Sequence, residues 1–305
     1  MASAEPRVDD LRELHELRPQ VWLMDLAFDW ACIAAWIALY GLVDSLWMLP
    51  AVSLGIGSRL HALGLLGHDV THRLACRTRW LNDLGAIPTG WPLLVRVEGG
   101  YRPWHFEHHR KLGTPADPEI ASYRGDAVYA TPVPPGRVVG LFFSDLMGLG
   151  ILDLLRFGRA VLPERWLTLA PMCLAWLAFF GIALWSDAVW IPLLLLWSLA
   201  TGFWAVFRVR TWTEHVGAPE RGSGTSHRFR AGPIARCLFF PHNTFCHYEH
   251  HLYPQVPYYH LPAVRARCEG PPIVSLRQLF REIAGPVEAA EGRQPEPAML
   301  ETASR

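Results

Sequence analysis

Three clusters of histidine recur along this sequence with related spacing. His68-Asp-Val-Thr-His72 sets two imidazoles four residues apart, and His105-Phe-Glu-His108-His109 and His247-Tyr-Glu-His250-His251 both read HxxHH. A further histidine, His215, stands alone in Thr213-Glu-His215, so that nine of the fourteen histidines fall in short stretches. Imidazole is the commonest neutral metal ligand, and nine exceed what one ion can hold, so the pattern points to two metal ions held close together. Residues three or four apart share a helical face and can converge at the end of a helix. The third histidine of each HxxHH lies about a quarter turn from the second, which lets one cluster offer ligands to two neighbouring ions. Zinc sites are mostly four-coordinate, so an all-imidazole set of this size fits iron with oxygen chemistry better. Cys32, Cys76, Cys173, Cys237, Cys246 and Cys268 are scattered without a CxxC pair, which suggests neither a thiolate site nor a disulfide framework.

The elements that must carry these ligands are apolar. Hydrophobic residues make up 51% of the 305, with fourteen tryptophans, and the mean hydropathy is positive, a composition suited to lipid more than to water. Leu26–Leu49, Trp166–Trp185 and Ala188–Phe207 each approach the roughly 20 apolar residues that cross a bilayer. Ala51–Gly67 is shorter and holds Arg59 and His61. It reads as a further span because Pro50 would turn the chain after the first run and polar residues can face a helix bundle. Arginines flank the runs on one side only: Arg7, Arg12 and Arg18, then Arg73, Arg77 and Arg79, then Arg156, Arg159 and Arg165, then Arg208 and Arg210. The connections at Pro50 and Ser186-Asp187 carry none. By the positive-inside rule, two helical hairpins enter from the cytoplasm, both termini stay there, and every histidine cluster lands on that side. The competing reading is a water-soluble bundle with unusually apolar core helices.

Between and beyond the spans the pattern is less regular. Leu84–Val97 holds Pro88, Gly90 and Pro92 and reads as a re-entrant or interfacial segment. Gly140–Phe157, with Asp145 and Asp153, suits one amphipathic helix along the membrane surface. No cleavable leader is recognised, because the first apolar run starts late and is long enough to span. The tail 285–305, rich in Glu, Pro and Ala, reads as disordered, leaving 1–284 as one membrane-embedded domain. A net charge of zero and the lack of a basic patch argue against nucleic-acid binding.

The ordered boxes HxxxH, HxxHH and HxxHH on a four-helix membrane frame resemble the membrane-bound fatty acid desaturase and hydroxylase superfamily. The flanking segments 101–118 (YRPWHFEHHRKLGTPADP) and 247–262 (HYEHHLYPQVPYYHLP) are similar to bacterial fatty acid desaturases, and the resemblance runs over roughly residues 20–275. It implies an all-α integral membrane four-helix bundle under a cytoplasmic helical cap that holds two iron ions. It also implies O2-dependent removal of hydrogen from an unactivated carbon of a fatty acyl chain in membrane lipid, at the bacterial inner membrane. The ligands it implies are His68, His72, His105, His108, His109, His215, His247, His250 and His251. Asn243 matches a position where the family often has asparagine and could hold a metal-bound water, while His242 is an outside candidate for metal contact. No cytochrome b5-like His-Pro-Gly-Gly segment is present, so electrons would come from a separate donor such as a ferredoxin.

Other residues near the boxes have quieter readings. Asp69, Glu107, Glu214 and Glu249 adjoin ligands and could orient imidazoles through their free N–H, or be solvated carboxylates. His61 shares a helical face with His68 and reads as packed or hydrogen-bonded. His15, His227 and His260 read as structural or exposed. Arg73, Arg102 and Arg110 could bind an anionic head group or an acidic electron donor, or be positive-inside residues. The same ligands would serve a hydroxylase or a ketolase acting on a lipid or carotenoid-like substrate. A metal-handling transporter is disfavoured because its ionisable groups should line a transmembrane path rather than loops and helix ends.

Overall fold

The computed structural model describes residues 8–123, 129, 131–162, 166–218 and 226–284, so the tail expected to be disordered lies outside the described residues. Among these, four helices are long and apolar enough to cross a membrane: Pro19–Val43, Leu46–Thr71, Leu167–Trp185 and Trp190–Glu214. Each expected run is found, but its ends move for local reasons. The first helix begins at Pro19, whose fixed φ suits a first turn, and it stops where Asp44 takes a left-handed conformation. That residue, not Pro50, makes the turn; Pro50 sits in the first turn of the regular helix Leu49–Thr71. The fourth helix runs past Phe207 to Glu214, so residues 208–214, expected as loop, are helical and largely buried.

Burial separates the spans into an inner and an outer pair. Only 11% of the apolar window of the first and of the third span is buried, against 72% for the second and 61% for the fourth. Leu42, Leu174, Leu177 and Trp185 are exposed on the outer pair, as lipid-facing side chains should be. The inner pair approaches closely through small residues. A Cβ on Gly202 would fall 1.8 Å from the Ser53 carbonyl oxygen, and one on Gly57 would fall 2.1 Å from the Phe203 nitrogen. Gly202 belongs to Leu199–Phe203, a π-helical stretch within the fourth span. As expected, the polar residues of the second span turn into the bundle: Arg59 is buried and donates to Asp29 of the first span at 3.0 Å.

At the C-terminal ends of the second and fourth spans lies a layer of short helices, including Arg102–Lys111, Pro118–Tyr123, His247–Leu252 and Leu261–Arg267. One core of Leu66, Val70, Trp212, Phe229, Phe240 and Val264 joins this layer to the span ends. A two-residue parallel strand pair, Phe229 with Val274 and Arg230 with Ser275, departs from the all-helical expectation. Leu84–Val97 breaks at its prolines into Ala86–Gly90 and Trp91–Leu93. It is wedged between two spans, with the Trp30 indole donating to the Pro88 carbonyl at 3.2 Å and the Trp176 indole to the Trp91 carbonyl at 3.1 Å.

Gly140–Phe157 is not one helix. It divides into Pro135–Leu146 and Ile151–Ala160, bent by 85° at a turn where Gly148 has φ +83. Asp145 and Asp153, expected on a polar outer face, instead both receive the Arg208 guanidinium of the fourth span, at 2.5 and 2.9 Å. A buried guanidinium demands carboxylate partners, and this demand overrides the amphipathic pattern.

Candidate metal centre

The second span delivers His68 in its last turns and His72 as its C-terminal cap, and the fourth delivers His215 in the same way. The helix Arg102–Lys111, preceded by a π-helical turn at Val97–Tyr101, carries His105, His108 and His109. Arg102 donates to the carbonyls of Thr71 and Val70 at 3.1 and 3.0 Å and to Asp83 at 2.7 Å. It is therefore consumed in tying this helix to the free carbonyls at the end of the second span, not left for a head group or partner. His247–Leu252 presents the last three histidines, directly after a segment in which His242 and Asn243 are both left-handed.

All nine implied ligands are brought together, and they divide into two sets. His68, His72, His105, His109 and His250 form one, and His108, His215, His247 and His251 the other, with the candidate ligand atoms of each set within 4.8 Å of one another. In the larger set the Nε2 atoms of His72 and His105 are 2.9 Å apart, those of His105 and His109 3.0 Å, and those of His109 and His250 3.0 Å. In the smaller set, His215 to His247 and His247 to His251 are both 2.9 Å, and His108 to His251 is 3.3 Å.

Hydrogen bonding alone does not account for this packing. A neutral imidazole nitrogen either donates one proton or offers one lone pair, yet the Nε2 atoms of His105, His109 and His247 each meet two others. Ligands at about 2.1 Å from a metal stand about 3.0 Å apart when they meet at right angles and about 3.4 Å apart in a tetrahedron. The spacing fits right-angled coordination around two points, and five donors exceed a tetrahedral zinc site. His68 Nε2 is buried with no hydrogen-bond partner among the described residues, as a nitrogen aimed at a metal would be. The donor set therefore fits two metal ions, and the five-histidine set fits an ion of more than four ligands, as iron can be.

Behind the rings lie groups that spacing did not reveal. His108 Nδ1 donates to the fully buried Asp117 at 2.8 Å, and the same carboxylate accepts the Glu119 N–H at 2.9 Å. Glu119 is buried, with an oxygen 3.5 Å from His108 Nε2, so the four-histidine set has a carboxylate within reach. His215 Nδ1 lies 3.3 Å from the Ser226 hydroxyl. The readable signal was Asp-Pro ahead of a short helix, the signature of a capping residue, which marks Asp117 as placed but not as a ligand partner.

The four acids named from sequence meet different ends. Glu214 lies 3.4 Å from His247 Nδ1 and accepts from Arg210 at 2.7 Å. Asp69 approaches His68 Nδ1 only to 3.9 Å and accepts the Tyr258 N–H at 3.3 Å. Glu249 touches no ligand ring; it is buried between Arg228, at 2.6 Å, and Arg265, at 2.7 Å, and so anchors the helix of the third box. Glu107 pairs with Arg110 and Lys111 at the surface, which makes it a solvated carboxylate and accounts for Arg110 as well. His242 lies in neither set; it donates to Asp29 at 2.7 Å. The Asn243 amide donates to the Tyr258 carbonyl at 3.3 Å.

Burial sets the protonation of the cluster. It pushes the pKa values of His105, His247, His250 and His251 well below the ordinary imidazole value, and that of His109 to about 3, with neighbouring imidazoles adding to the effect. These rings are neutral and ligand-competent near neutral pH. His108 goes the other way: burial lowers it, but the Glu119 charge and the Asp117 hydrogen bond outweigh burial and raise it.

A narrow cavity of about 70 Å³ borders His68. Leu65, Leu93, Val97, Phe157, Phe203 and Phe207 supply much of its apolar wall, and Gly64 and Gly67 also line it. Such a lining binds hydrocarbon by burial alone.

Several known proteins have similar sequences. The sequence is 28% identical over 281 residues to dihydrorhizobitoxine desaturase of Bradyrhizobium elkanii, covering 85% of this chain and 79% of that protein. It is 25% identical over 261 residues to a β-carotene ketolase of Paracoccus sp., covering 77% and 89%. It is 24% identical over 247 residues to an sn-1 acyl-lipid omega-3 desaturase (ferredoxin) of Nostoc sp., covering 73% and 68%. The profile of the fatty acid desaturase family matches residues 45–271, which hold all nine clustered histidines. A membrane protein with apolar spans, three histidine boxes and that match belongs to the fatty acid desaturase family, and its activity is of the oxidoreductase kind.

Proposed function

We propose that the protein is an O2-dependent di-iron desaturase that introduces a double bond into a fatty acyl chain. The convergence of nine imidazoles into adjoining sets of five and four, at the end of an apolar cavity, carries this reading. His68, His72, His105, His109 and His250 would hold one iron, and His108, His215, His247 and His251 the other. Bound there, the two irons would supply the reduction of dioxygen and the oxidation of an unactivated carbon–hydrogen bond.

The residues of this chain do the positioning. Leu65, Val97, Phe203 and Phe207 exclude water and hold an alkyl segment against His68, because a methylene offers no polar handle by which to orient it. Asp117 fixes the His108 tautomer by accepting from Nδ1, which leaves Nε2 free for metal. Glu249, held by Arg228 and Arg265, keeps the helix of the third box in register with the other boxes. Electrons would come from a separate ferredoxin-like protein, the kind of donor for which the Nostoc relative is named. The arginine distribution supports an inner-membrane protein with site and termini on the cytoplasmic side, built as one domain over 1–284.

A ketolase or hydroxylase is the second reading, favoured by the likeness to β-carotene ketolase over 89% of that protein. Mass spectrometry of the lipids of a host with saturated chains separates the two. A species lighter by two hydrogens is expected; one heavier by an oxygen would establish the second reading in its place. The purified protein should hold close to two irons per chain, and a single tightly bound zinc would overturn both.

A further inference from the structure

The cavity against His68 is not uniformly apolar. Arg210, Thr89 and Tyr101 border it, and two of these have their polar atoms engaged, Arg210 with Glu214 at 2.7 Å and Thr89 with the Gly85 carbonyl at 2.8 Å. Tyr101 lies at the metal end, stacked on His105 with ring centroids 5.3 Å apart. His61 is different. It borders the cavity two helical turns before His68, its ring is 98% buried against Phe203 and Phe207, and neither of its nitrogens has a hydrogen-bond partner among the described residues.

An imidazole with both nitrogens unbonded in an apolar wall is unfavourable, and a leucine or phenylalanine would fill the same space without that penalty. A purely hydrocarbon occupant gives such a group nothing to bond. Taking the proposed oxidation of a chain substrate as its premise, we propose that His61 is a specificity-determining residue. It donates a hydrogen bond to an oxygen carried within the chain of the substrate (an ether, hydroxyl or carbonyl), and it thereby sets which carbon reaches the metals. Seven residues of helix separate His61 from His68, so that oxygen sits about 10 Å from the oxidised carbon. Within the acyl chains of the proposed reaction, the preferred substrate class is then one that carries such an oxygen along the chain.

The test uses full-length protein purified in detergent, with methyl stearate and a series of its analogues in which one methylene is replaced by an ether oxygen, moved stepwise along the chain. Apparent affinity is read from the ligand-induced rise in melting temperature, without turnover. One position, or two adjacent ones, should bind about tenfold more tightly than methyl stearate. His61→Leu should abolish the preference, so that every ether analogue binds no better than methyl stearate does to the same variant, and His61→Gln, which can still donate, should retain part of it. Equal binding of all chains, binding of none, or a preference that survives His61→Leu overturns the inference. If the preference stands but an expressing host fed both methyl stearate and the preferred chain contains no oxidised product of either, the proposed reaction fails and the recognition by His61 does not.

Discussion

At His108 the orientation of a metal-facing ring is decided nine residues downstream. Its Nδ1–H is spent on Asp117 at 2.8 Å, which turns Nε2 toward His251 at 3.3 Å. Removing that acceptor frees both the tautomer and the ring. Asp117→Ala should therefore weaken iron binding about 10- to 100-fold, seen as a fall from two irons per chain toward one after dialysis against a chelator. Asp117→Asn keeps an accepting oxygen and should lose less. The ligands themselves were legible because two ions need many imidazoles, and helical spacing of three and four is the means of gathering them. Asp117, Glu119 and Ser226 were not legible: each is a single polar residue whose role exists only once another element is folded against it. For Glu107 the sequence left a ring-orienting and a solvated role open, and its place on the outer side of the same helix decides for the solvated one.

At the scale of elements, the segment before the third box is held in an unusual way. His242, left-handed at φ 51, bonds Asp29 of the first span at 2.7 Å and lies 3.6 Å from Asp25. Burial alone would lower its pKa, but the hydrogen bonds and charges of Asp25 and Asp29 outweigh burial and raise it above the ordinary imidazole value. A group raised on folding contributes its full stability below the unfolded value, about 6.5, and loses that contribution as pH climbs through the folded value. The melting temperature in detergent should thus fall as pH rises above neutrality, by a step that is missing in His242→Gln. The existence of the four spans was plain from hydropathy, because bilayer thickness imposes a length. Their ends were not: residues 208–214 read as loop from their arginines, and only the carboxylates of Asp145, Asp153 and Glu214 make it possible to bury that turn of helix.

The whole molecule is a bundle whose outer pair of helices faces outward with leucine and tryptophan and whose inner pair carries ligands at its ends. Washing membranes with alkaline carbonate should leave the protein in the pellet, and recovery in the supernatant would count against spanning helices. The two π-helical stretches, Leu199–Phe203 and Val97–Tyr101, gain meaning at this scale. The stretch in the fourth span holds one residue more than a regular turn and so rotates the helix on its C-terminal side by about 100°, while Val97–Tyr101 opens the helix of the second box after the extended Arg96. The rotated residues are Arg210, Glu214 and His215. Deleting Ala200 should regularise the fourth span, leave the protein inserted, and remove His215 from its set, with iron falling below two per chain. Loops in a protein tolerate gains and losses of residues, and a bilayer tolerates a helix a little too long. Between the membrane and the metals the fourth span has neither kind of slack, so a residue gained or lost there is felt at His215 and cannot be absorbed on the way.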